Sequence, residues 1–343
     1  MSLVPHSRPT VGPEEAEAVH RVVMGGMLAE GPEVAAFESE LSAALGCGNA
    51  VAVAHGTGAL HLALLGLGAG PGRSVILPAY CCVSVLNSVL YTGASPVLAD
   101  SVPDAPDVDL EHVRSLIASD TAAVVVPHLF GRRVPLEPLS VPIVEDGTQS
   151  LGVEGLGRHG QATIFSFYAT KMLAGAEGGA VLSQDERLLA LVRDRRSYDG
   201  RTDWAERFNY KMTDLSGAML RVQLGKLARF IARRRELASL YRQRLAGTGL
   251  RLPVEQAGEV FFRFVVQVEE AVVGVTRLRE LGVDARLPVF RPIHHFLGLS
   301  AEEYPNAEAR WRTSLSLPLY PSLSDEEADR VVEAASTLCW ARR

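Results

Sequence analysis

The chain has 343 residues, of which 47% are hydrophobic and 22% charged, and its formal net charge is −6. This composition is typical of a folded globular protein and excludes a disordered chain, while the length predicts one large domain and a smaller one. The net negative charge argues against a nucleic acid as the main partner.

No segment of the sequence predicts passage through a membrane. The most apolar stretch, residues 51–70, is interrupted by His55, His61 and several glycines. Residues 1–15 contain proline, glycine and acids but no apolar signal core. The four cysteines lack metal-ligand spacing. We therefore expect a cytoplasmic protein without a metal, a membrane or a nucleic acid as partner.

Predicted strands and helices alternate over the first two-thirds of the chain. The predicted helices cover residues 13–24, 32–45, 59–67, 83–91 and 110–118. The predicted strands cover residues 50–54, 74–77, 96–99, 122–127 and 142–144. This alternation is typical of a parallel sheet covered by helices, because each parallel crossover requires a connection of helix length.

The pattern of elements changes towards the end of the chain. A strand at 180–183 and a helix at 185–196 lead into a long helix predicted at 214–245. After the glycines at 247–249, a strand is predicted at 260–268, with helices at 275–281 and 325–338. The sequence therefore predicts a large domain over residues 1–230 and a smaller α+β domain over residues 231–343.

Lysine is scarce in this chain, since only Lys171, Lys211 and Lys226 occur among 34 basic residues. Arginine supplies the other positive charges, so the lysine at position 171 is a candidate reactive amine. A desolvated lysine loses its proton and condenses with an aldehyde, whereas a guanidinium stays protonated. Upstream, Asp146 ends an apolar strand at the sheet edge where ligands of open α/β sheets collect.

A lysine and a strand-end carboxylate are two of the groups that pyridoxal phosphate requires. The lysine holds the aldehyde as a Schiff base, and the carboxylate keeps the pyridine nitrogen protonated. Gln149 is a candidate donor to the phenolic oxygen beside the aldehyde. Taken alone, Asp146 is a weak signal, because an acid that caps a helix at the end of a strand is common.

A phosphate cradle is the third requirement, and the start of the helix after the first predicted strand offers one. Thr57 and Gly58 open that helix, where free amides and the positive end of the helix dipole favour an anion. Such turns occur in many phosphate binders. Ser166 is a further candidate phosphate donor, or an ordinary strand hydroxyl.

Six segments in order along the chain resemble the DegT/StrS-type sugar aminotransferases, which are fold-type I enzymes dependent on pyridoxal phosphate. The segments are HGTGALHLAL at 55–64, VEDGTQS at 144–150, SFYATK at 166–171, EGGAV at 177–181, NYKMTD at 209–214 and LSLP at 315–318. The resemblance implies a large domain with a mostly parallel seven-stranded sheet and a smaller C-terminal α+β domain.

The resemblance also implies roles for individual residues. Lys171 would be the Schiff-base lysine, Asp146 would contact the ring nitrogen and Gln149 the phenolic oxygen. Thr57, Gly58 and Ser166 would bind the phosphate. The implied enzyme is a homodimer with shared active sites, in which Asn209 reaches the cofactor phosphate of the neighbouring chain. His294 falls where the family places a histidine near the substrate, although His295 is an alternative.

Two features depart from the family pattern. Cys82 occupies the position where the family usually has an aromatic residue stacked on the cofactor ring, and Tyr80 is a candidate to replace that contact near the substrate. The stretch between Asp146 and Lys171 and the C-terminal domain are both short for the family. Neither departure removes a residue required for the cofactor, in either its aldehyde (PLP) or its amine (PMP) form.

The expected reaction is transfer of an amino group from an amino acid, glutamate being expected, to a keto group of a nucleotide-linked sugar. The alternatives are a keto substrate without a nucleotide and a non-catalytic homologue that keeps the fold as a binding module. The retained Lys171 and Asp146 favour an active enzyme. Fold and cofactor leave the acceptor sugar, its nucleotide and the carbon that is aminated undetermined.

Overall fold

The large domain is built on a seven-stranded sheet, seen in a computed structural model that describes residues 2–338. Its strands are β1 (Asn49–Val53), β2 (Ser74–Pro78), β3 (Ser95–Ala99), β4 (Thr121–Pro127), β5 (Ile143–Asp146), β6 (Ala162–Ser166) and β7 (Gly179–Ser183). Their order is β1-β7-β6-β5-β4-β2-β3. Only β7 runs antiparallel to its neighbours, so the prediction of a mostly parallel α/β sheet is confirmed.

Helices cover both faces of this sheet. They are α1 (Pro13–Gly25), α2 (Pro32–Leu45), α3 (Gly56–Gly66), α4 (Val83–Tyr91), α5 (Leu110–Leu116), α6 (Glu186–Arg195) and α7 (Asp214–Leu245). Because side chains alternate along a strand, β1 contributes to two cores. Val51 and Val53 pack in the core that contains α3, whereas Ala50 and Ala52 pack in the core that contains α2.

The smaller domain has its own sheet and core. Strands β8 (Phe264–Gln267) and β9 (Ser314–Leu317) pair antiparallel. The helices of this part of the chain are α8 (Ala271–Glu280), α9 (Ile293–Leu297), α10 (Pro305–Thr313) and α11 (Asp325–Ala335). Helices α8 and α11 pack in the core of the smaller domain, whereas α9 and α10 pack against the core of the large domain. The core of this domain joins Tyr241, Phe264 and Val331 with Val4 from the start of the chain.

The predicted domain boundary at 230/231 falls inside α7, which continues unbroken across it. The first half of α7 packs on α1 and α2, and its second half enters the core of the smaller domain through Leu237 and Tyr241. The division at 230/231 therefore stays a prediction. Within residues 2–338, no helix combines the length and apolarity needed to span a membrane.

Some element boundaries differ from prediction for local reasons. The strand predicted at 260–268 is shorter, because Phe261 has a left-handed backbone conformation with φ 49° and β8 begins only at Phe264. The closing helix predicted to reach residue 338 ends at Ala335. Helices α9 and α10 and strand β9 were not predicted from the sequence.

Candidate active site

A cavity of about 310 Å³ lies where the carboxyl ends of β4, β5 and β6 meet the start of α3. The segment that follows β6 closes one side, and residues of the smaller domain close another. Six of the residues predicted from the sequence or placed at a family position line this cavity: Thr57, Cys82, Asp146, Gln149, Ser166 and Lys171. Ligand sites of 300–1,000 Å³ are usual for small molecules and cofactors, so the cavity has a suitable size.

Lys171 lies in a compact turn after β6. Its backbone N–H donates to the Tyr168 carbonyl at 2.8 Å, and Gly175 N–H donates to the Phe167 carbonyl at 2.8 Å. The ammonium Nζ lies 5.6 Å from the ring centroid of Phe262. Burial lowers the pKa of Lys171 below its ordinary value, while the negative charge of Asp146 opposes that shift. The site therefore favours a neutral amine more than water does.

Asp146 is the last residue of β5 and is buried at the cavity wall. One carboxylate oxygen, Oδ1, accepts a hydrogen bond from Thr148 N–H at 3.0 Å. Gln149 follows in the same turn, and its Oε1 accepts from Phe130 N–H at 2.9 Å. Because that contact fixes the amide oxygen, the amide NH₂ of Gln149 is the end left to donate into the cavity.

The start of α3 forms the end of the cavity suited to an anion. His55 is the N-cap, and its Nδ1 accepts from Gly58 N–H at 2.8 Å. Burial lowers the pKa of His55, which favours the neutral ring that this hydrogen bond requires. The Gly58 amide is therefore used inside the helix cap, and Gly58 does not line the cavity. Its predicted phosphate contact stays a prediction.

Gly56, rather than the predicted Gly58, lines the cavity. A Cβ at position 56 would lie 2.6 Å from the Cβ of Ser166, so only glycine lets α3 begin this close to β6. The first amides of α3, at Gly56 and Thr57, have no carbonyl partner within the helix. Together with the hydroxyls of Thr57 and Ser166, they form a cradle of the kind that binds phosphate.

Two residues proposed near the substrate lie elsewhere. Tyr80 is fully buried and does not line the cavity, so it does not replace the missing aromatic ring contact. His294 is also fully buried, and its Nε2 lies 3.3 Å from Oε2 of Glu308. The neighbouring His295 contacts the same oxygen at 2.8 Å. Both histidines therefore join α9 to α10 through Glu308 and do not line the cavity.

Three potential metal ligands do lie close together there, since donor atoms of His294, His295 and Glu308 fall within 4.8 Å of one another. Arg312 donates to the other carboxylate oxygen of Glu308 at 2.7 Å. A cation in the cluster would have to compete with this guanidinium for the only carboxylate. The cluster is explained by hydrogen bonding without an ion.

Sequence reasoning missed the residues that the smaller domain contributes. Phe262 and Arg263 both line the cavity, and Phe262 supplies an aromatic ring near Lys171. Arg263 Nη1 donates to Nε2 of His6 at 2.9 Å. Burial lowers the pKa of Arg263 to about 10, and burial together with the charge of Arg263 lowers the pKa of His6 to about 3. His6 is therefore a neutral acceptor that orients the guanidinium.

Asn209 lies outside the lining of the cavity and is exposed. The next residue is anchored, because the Tyr210 carbonyl accepts from Ala54 N–H at 2.7 Å at the end of β1. This segment is therefore held against the sheet while Asn209 faces outwards. An outward position is what the predicted contact with a neighbouring chain requires, and that contact stays a prediction.

The arrangement defines the class of protein. An amine of lowered pKa, a buried carboxylate, an amide donor and a phosphate-type cradle share one cavity on a mostly parallel sheet, which fits pyridoxal phosphate. The sequence matches the family described as the DegT/DnrJ/EryC1/StrS aminotransferase family over residues 9–336, and the chain belongs to that family.

Solved structures agree with this assignment. DesV from S. venezuelae is 32% identical, with 94% of each chain covered and a TM-score of 0.86. The aminotransferase TlmJ from Streptoalloteichus hindustanus is 29% identical, with 98% of each chain covered and a TM-score of 0.90. NtdA from Bacillus subtilis, solved with bound PMP, is 26% identical over 97% of this chain and 84% of its own, with a TM-score of 0.89.

The chain is therefore a pyridoxal phosphate-dependent aminotransferase. The predictions of the family, the fold class and the cofactor in its PLP and PMP forms are confirmed. The alternative of a non-catalytic binding module loses its basis, since the candidate lysine and carboxylate are both present and share one cavity.

Proposed function

We propose that this aminotransferase moves an amino group from an α-amino acid, glutamate being the expected donor, to a keto group of a nucleotide-linked sugar. The observation that carries the proposal is the shared cavity of Lys171 and Asp146. The acceptor class rests on the resemblance of six sequence segments to sugar aminotransferases. The amino-acid donor rests on the chemistry of the cavity wall.

Four groups would hold the cofactor. Lys171 would carry its aldehyde, Asp146 would face the ring nitrogen and Gln149 would donate to the phenolic oxygen. The start of α3 with Ser166 would bind the phosphate. When bound, pyridoxal phosphate with a protonated ring supplies an electron sink for the carbon that exchanges its amino group.

Lys171 would also move the proton that amino transfer requires. A general base works best when its pKa lies near the working pH, and burial moves the pKa of Lys171 in that direction. Apolar side chains of Leu129, Ile164 and Phe262 line the same cavity. They limit the water around the amine and so preserve the effect of burial on its pKa.

Arg263 supports a donor that bears a carboxylate. Its guanidinium lies at the cavity wall, and within the described part of the chain no Asp or Glu forms a salt bridge with it. The Nε–H is buried without a hydrogen-bond partner. A guanidinium pairs with a carboxylate through two parallel hydrogen bonds, and a desolvated setting strengthens the pair. An amino acid would supply that carboxylate.

The position of Lys171 can be tested by trapping. Borohydride reduction of the protein with pyridoxal phosphate is expected to leave a pyridoxyl group on the peptide that contains Lys171, identified by mass spectrometry. Lys171→Ala should lose the adduct and the activity. Lys226→Ala is the matched control, because Lys226 is already paired with Glu15 at 2.6 Å outside the cavity. An adduct on another lysine, or normal turnover by Lys171→Ala, would contradict the mechanism.

The acceptor can be tested separately with the amine form of the enzyme. We expect keto sugars linked to a nucleoside diphosphate to return the cofactor spectrum to its aldehyde form, and glutamate to reverse the change. Free keto sugars and simple 2-oxo acids serve as comparison substrates. A faster reaction with a keto compound that lacks a nucleotide would favour the alternative acceptor.

The family resemblance implies a homodimer with shared active sites, and a mixing experiment tests this part of the proposal. Lys171→Ala and Asn209→Ala subunits are each expected to be inactive as homodimers. In a mixed dimer, one of the two sites would hold both native residues, so part of the activity should return. Confirmed mixed dimers without recovered activity would show that Asn209 acts within its own subunit or not at all.

A further inference from the structure

A second cavity, of about 100 Å³, lies between the two domains beside the cofactor cavity. The large domain contributes Asp104, Phe130 and Arg132 to its lining, and the smaller domain contributes Arg251 and Arg310 among others. Arg263 borders both cavities. None of the family motifs recognised in the sequence includes these arginines, and only Arg263 among them has been given a role in the proposed reaction.

Four arginines and two acids line the cavity, so its positive charge is only partly balanced. Arg251 pairs with Asp104 at 2.8 Å, but neither Arg132 nor Arg310 forms a salt bridge with any acid of residues 2–338. Arg310 is only 9% exposed, and burial lowers its pKa. Arg310 Nη2 donates to the Pro103 carbonyl at 3.3 Å, whereas the buried Nε–H of Arg132 has no partner.

The remaining acid of the lining does not balance this charge at neutral pH. Burial raises the pKa of Glu259 to about 7, so a large fraction of this carboxyl is protonated near neutrality. Its Oε2 already accepts from Gln256 N–H at 3.2 Å. The carboxyl of Asp107 also lies near Arg132 and Arg310, but burial raises its pKa and it forms no salt bridge with either arginine. Desolvated cations without a counter-charge are unfavourable, and guanidinium groups bind oxyanions in preference to other ligands.

We propose that this inter-domain cavity binds a phosphate group. A water molecule occupies about 30 Å³ in the liquid, so a cavity of about 100 Å³ has room for one tetrahedral oxyanion. The buried Ser314 lies in the lining and offers a hydroxyl beside the arginines. The phosphate is either inorganic phosphate or one phosphate of a larger molecule that reaches in from outside.

Binding there would join the domains next to the cofactor. Arg132 belongs to the large domain, whereas Arg251 and Arg310 belong to the smaller one. Phe130, which lines the cavity, also donates its N–H to Gln149 of the cofactor site at 2.9 Å. A bound phosphate would therefore stabilise both the domain arrangement and the loop that orients Gln149.

Thermal unfolding of the borohydride-reduced holoenzyme tests the proposal, because the trapped cofactor keeps added phosphate out of the cofactor's own cradle. At constant ionic strength, inorganic phosphate should raise the melting temperature of the wild type in a saturable way. Arg310→Gln should weaken the apparent affinity at least about ten-fold through loss of charged hydrogen bonds. The exposed residue Arg229 provides the control, Arg229→Gln, which should behave as wild type.

Arg132→Gln is the second variant, because Arg132 is only half-buried and its replacement is less disruptive if Arg310→Gln fails to fold. Loss of the phosphate effect in either variant, with the control unaffected, supports the site. The proposal is wrong if phosphate does not raise the melting temperature of the wild type in a saturable way. It is also wrong if phosphate raises the melting temperature of both variants as much as that of the wild type. Failure to trap the cofactor on Lys171 would instead count against the proposed function, so the two failures are distinguishable.

The source of the phosphate is decided by competition. If inorganic phosphate no longer raises the melting temperature once UDP or dTDP is present, the cavity takes a phosphate of the nucleotide-linked substrate. If phosphate acts equally with and without the nucleotide, the cavity takes the free anion. Both outcomes support an oxyanion site, and they differ only in which molecule fills it.

Discussion

Two neighbouring carboxylates of β5, Glu145 and Asp146, point to opposite sides of the strand and lie in contrasting surroundings. Glu145 is fully buried and accepts from the N–H groups of Gly157, His159 and Gly160 at 3.1, 2.9 and 2.7 Å. His128 Nε2 lies 3.0 Å from it as well. Asp146 accepts one hydrogen bond among the described residues and faces the cofactor cavity.

The contrast separates a structural acid from a functional one. Burial alone would raise the pKa of Glu145, but hydrogen bonds from His128 and from backbone N–H groups outweigh it and lower the pKa to about 2. Both carboxylate oxygens of Glu145 thus already accept hydrogen bonds from His128 and from the loop after β5, and neither is left to bind a ligand. Asp146 keeps a carboxylate oxygen without a protein donor, which is what binding a cationic ring nitrogen requires.

Within this comparison of the two acids, the largest expected effect comes from Asp146→Asn. Loss of the negative charge should lower the rate of amino transfer by about 10²–10³-fold, because the cofactor ring is no longer held protonated. The free energy of unfolding should change by less than about 1 kcal/mol, since Asp146 has few partners. Steady-state kinetics and urea unfolding measure the two quantities. A large loss of stability at unchanged rate would reverse the assignment of the two acids.

Glu145→Gln is expected to show the opposite behaviour. An amide nitrogen would face N–H donors that now bind a carboxylate, so the free energy of unfolding should fall by about 3 kcal/mol. The rate per folded molecule should stay within about two-fold, because the residue does not line the cavity. The exposed Glu154 provides a matched control, Glu154→Gln, which should change stability by about 0.5 kcal/mol or less. If Glu145→Gln and Glu154→Gln changed the free energy of unfolding equally, the structural role of Glu145 would be contradicted.

The same carboxylate predicts a dependence of stability on acid pH. The pKa of Glu145 lies at about 2 in the folded chain, below its ordinary value of 4.5, so its contribution is present above pH 4.5 and declines as pH falls towards 2. Between pH 7 and pH 3 the loss should reach about 1–2 kcal/mol. Urea unfolding at both pH values should show a smaller loss in Glu145→Gln than in the wild type. If the free energy of unfolding of the wild type and of Glu145→Gln fell equally with pH, Glu145 would not be the cause of the loss.

The smallest expected effect is that of Gln149→Leu. This side chain combines a structural role, like that of Glu145, with a functional one, like that of Asp146. Its amide oxygen serves the structure by accepting from Phe130 N–H, and its NH₂ is proposed to serve the cofactor. We expect a loss of about 1 kcal/mol in stability together with about a ten-fold loss in rate. A change in only one of the two quantities would assign the side chain to a single role.

Much of the large domain follows from local pattern. Helices α2, α4 and α7 begin and end where the sequence predicts, because their apolar periodicity and flanking glycines and caps act within a few residues. Lys171 and Asp146 are also recognisable in this way, one from the scarcity of lysine and the other from its place at a strand end. Parallel strands bring such ends to one edge of the sheet.

Other features depend on contacts between distant parts of the chain. Nothing near Arg263 in the sequence shows that its guanidinium would be oriented by His6, more than 250 residues away, beside Lys171. The use of Gly58 by the His55 cap and the burial of Tyr80 are likewise properties of packing. Local composition does not encode the relative placement of two domains.

By itself, the sequence determined the alternating α/β architecture, the cofactor and the pair Lys171 and Asp146, because hydrophobic period, strand ends and residue chemistry are local properties. Only the tertiary structure decided that Glu145 is saturated while Asp146 is open, and that four arginines surround a cavity between the domains. Hydrogen-bond saturation and charge balance arise from groups that meet only when the chain is folded.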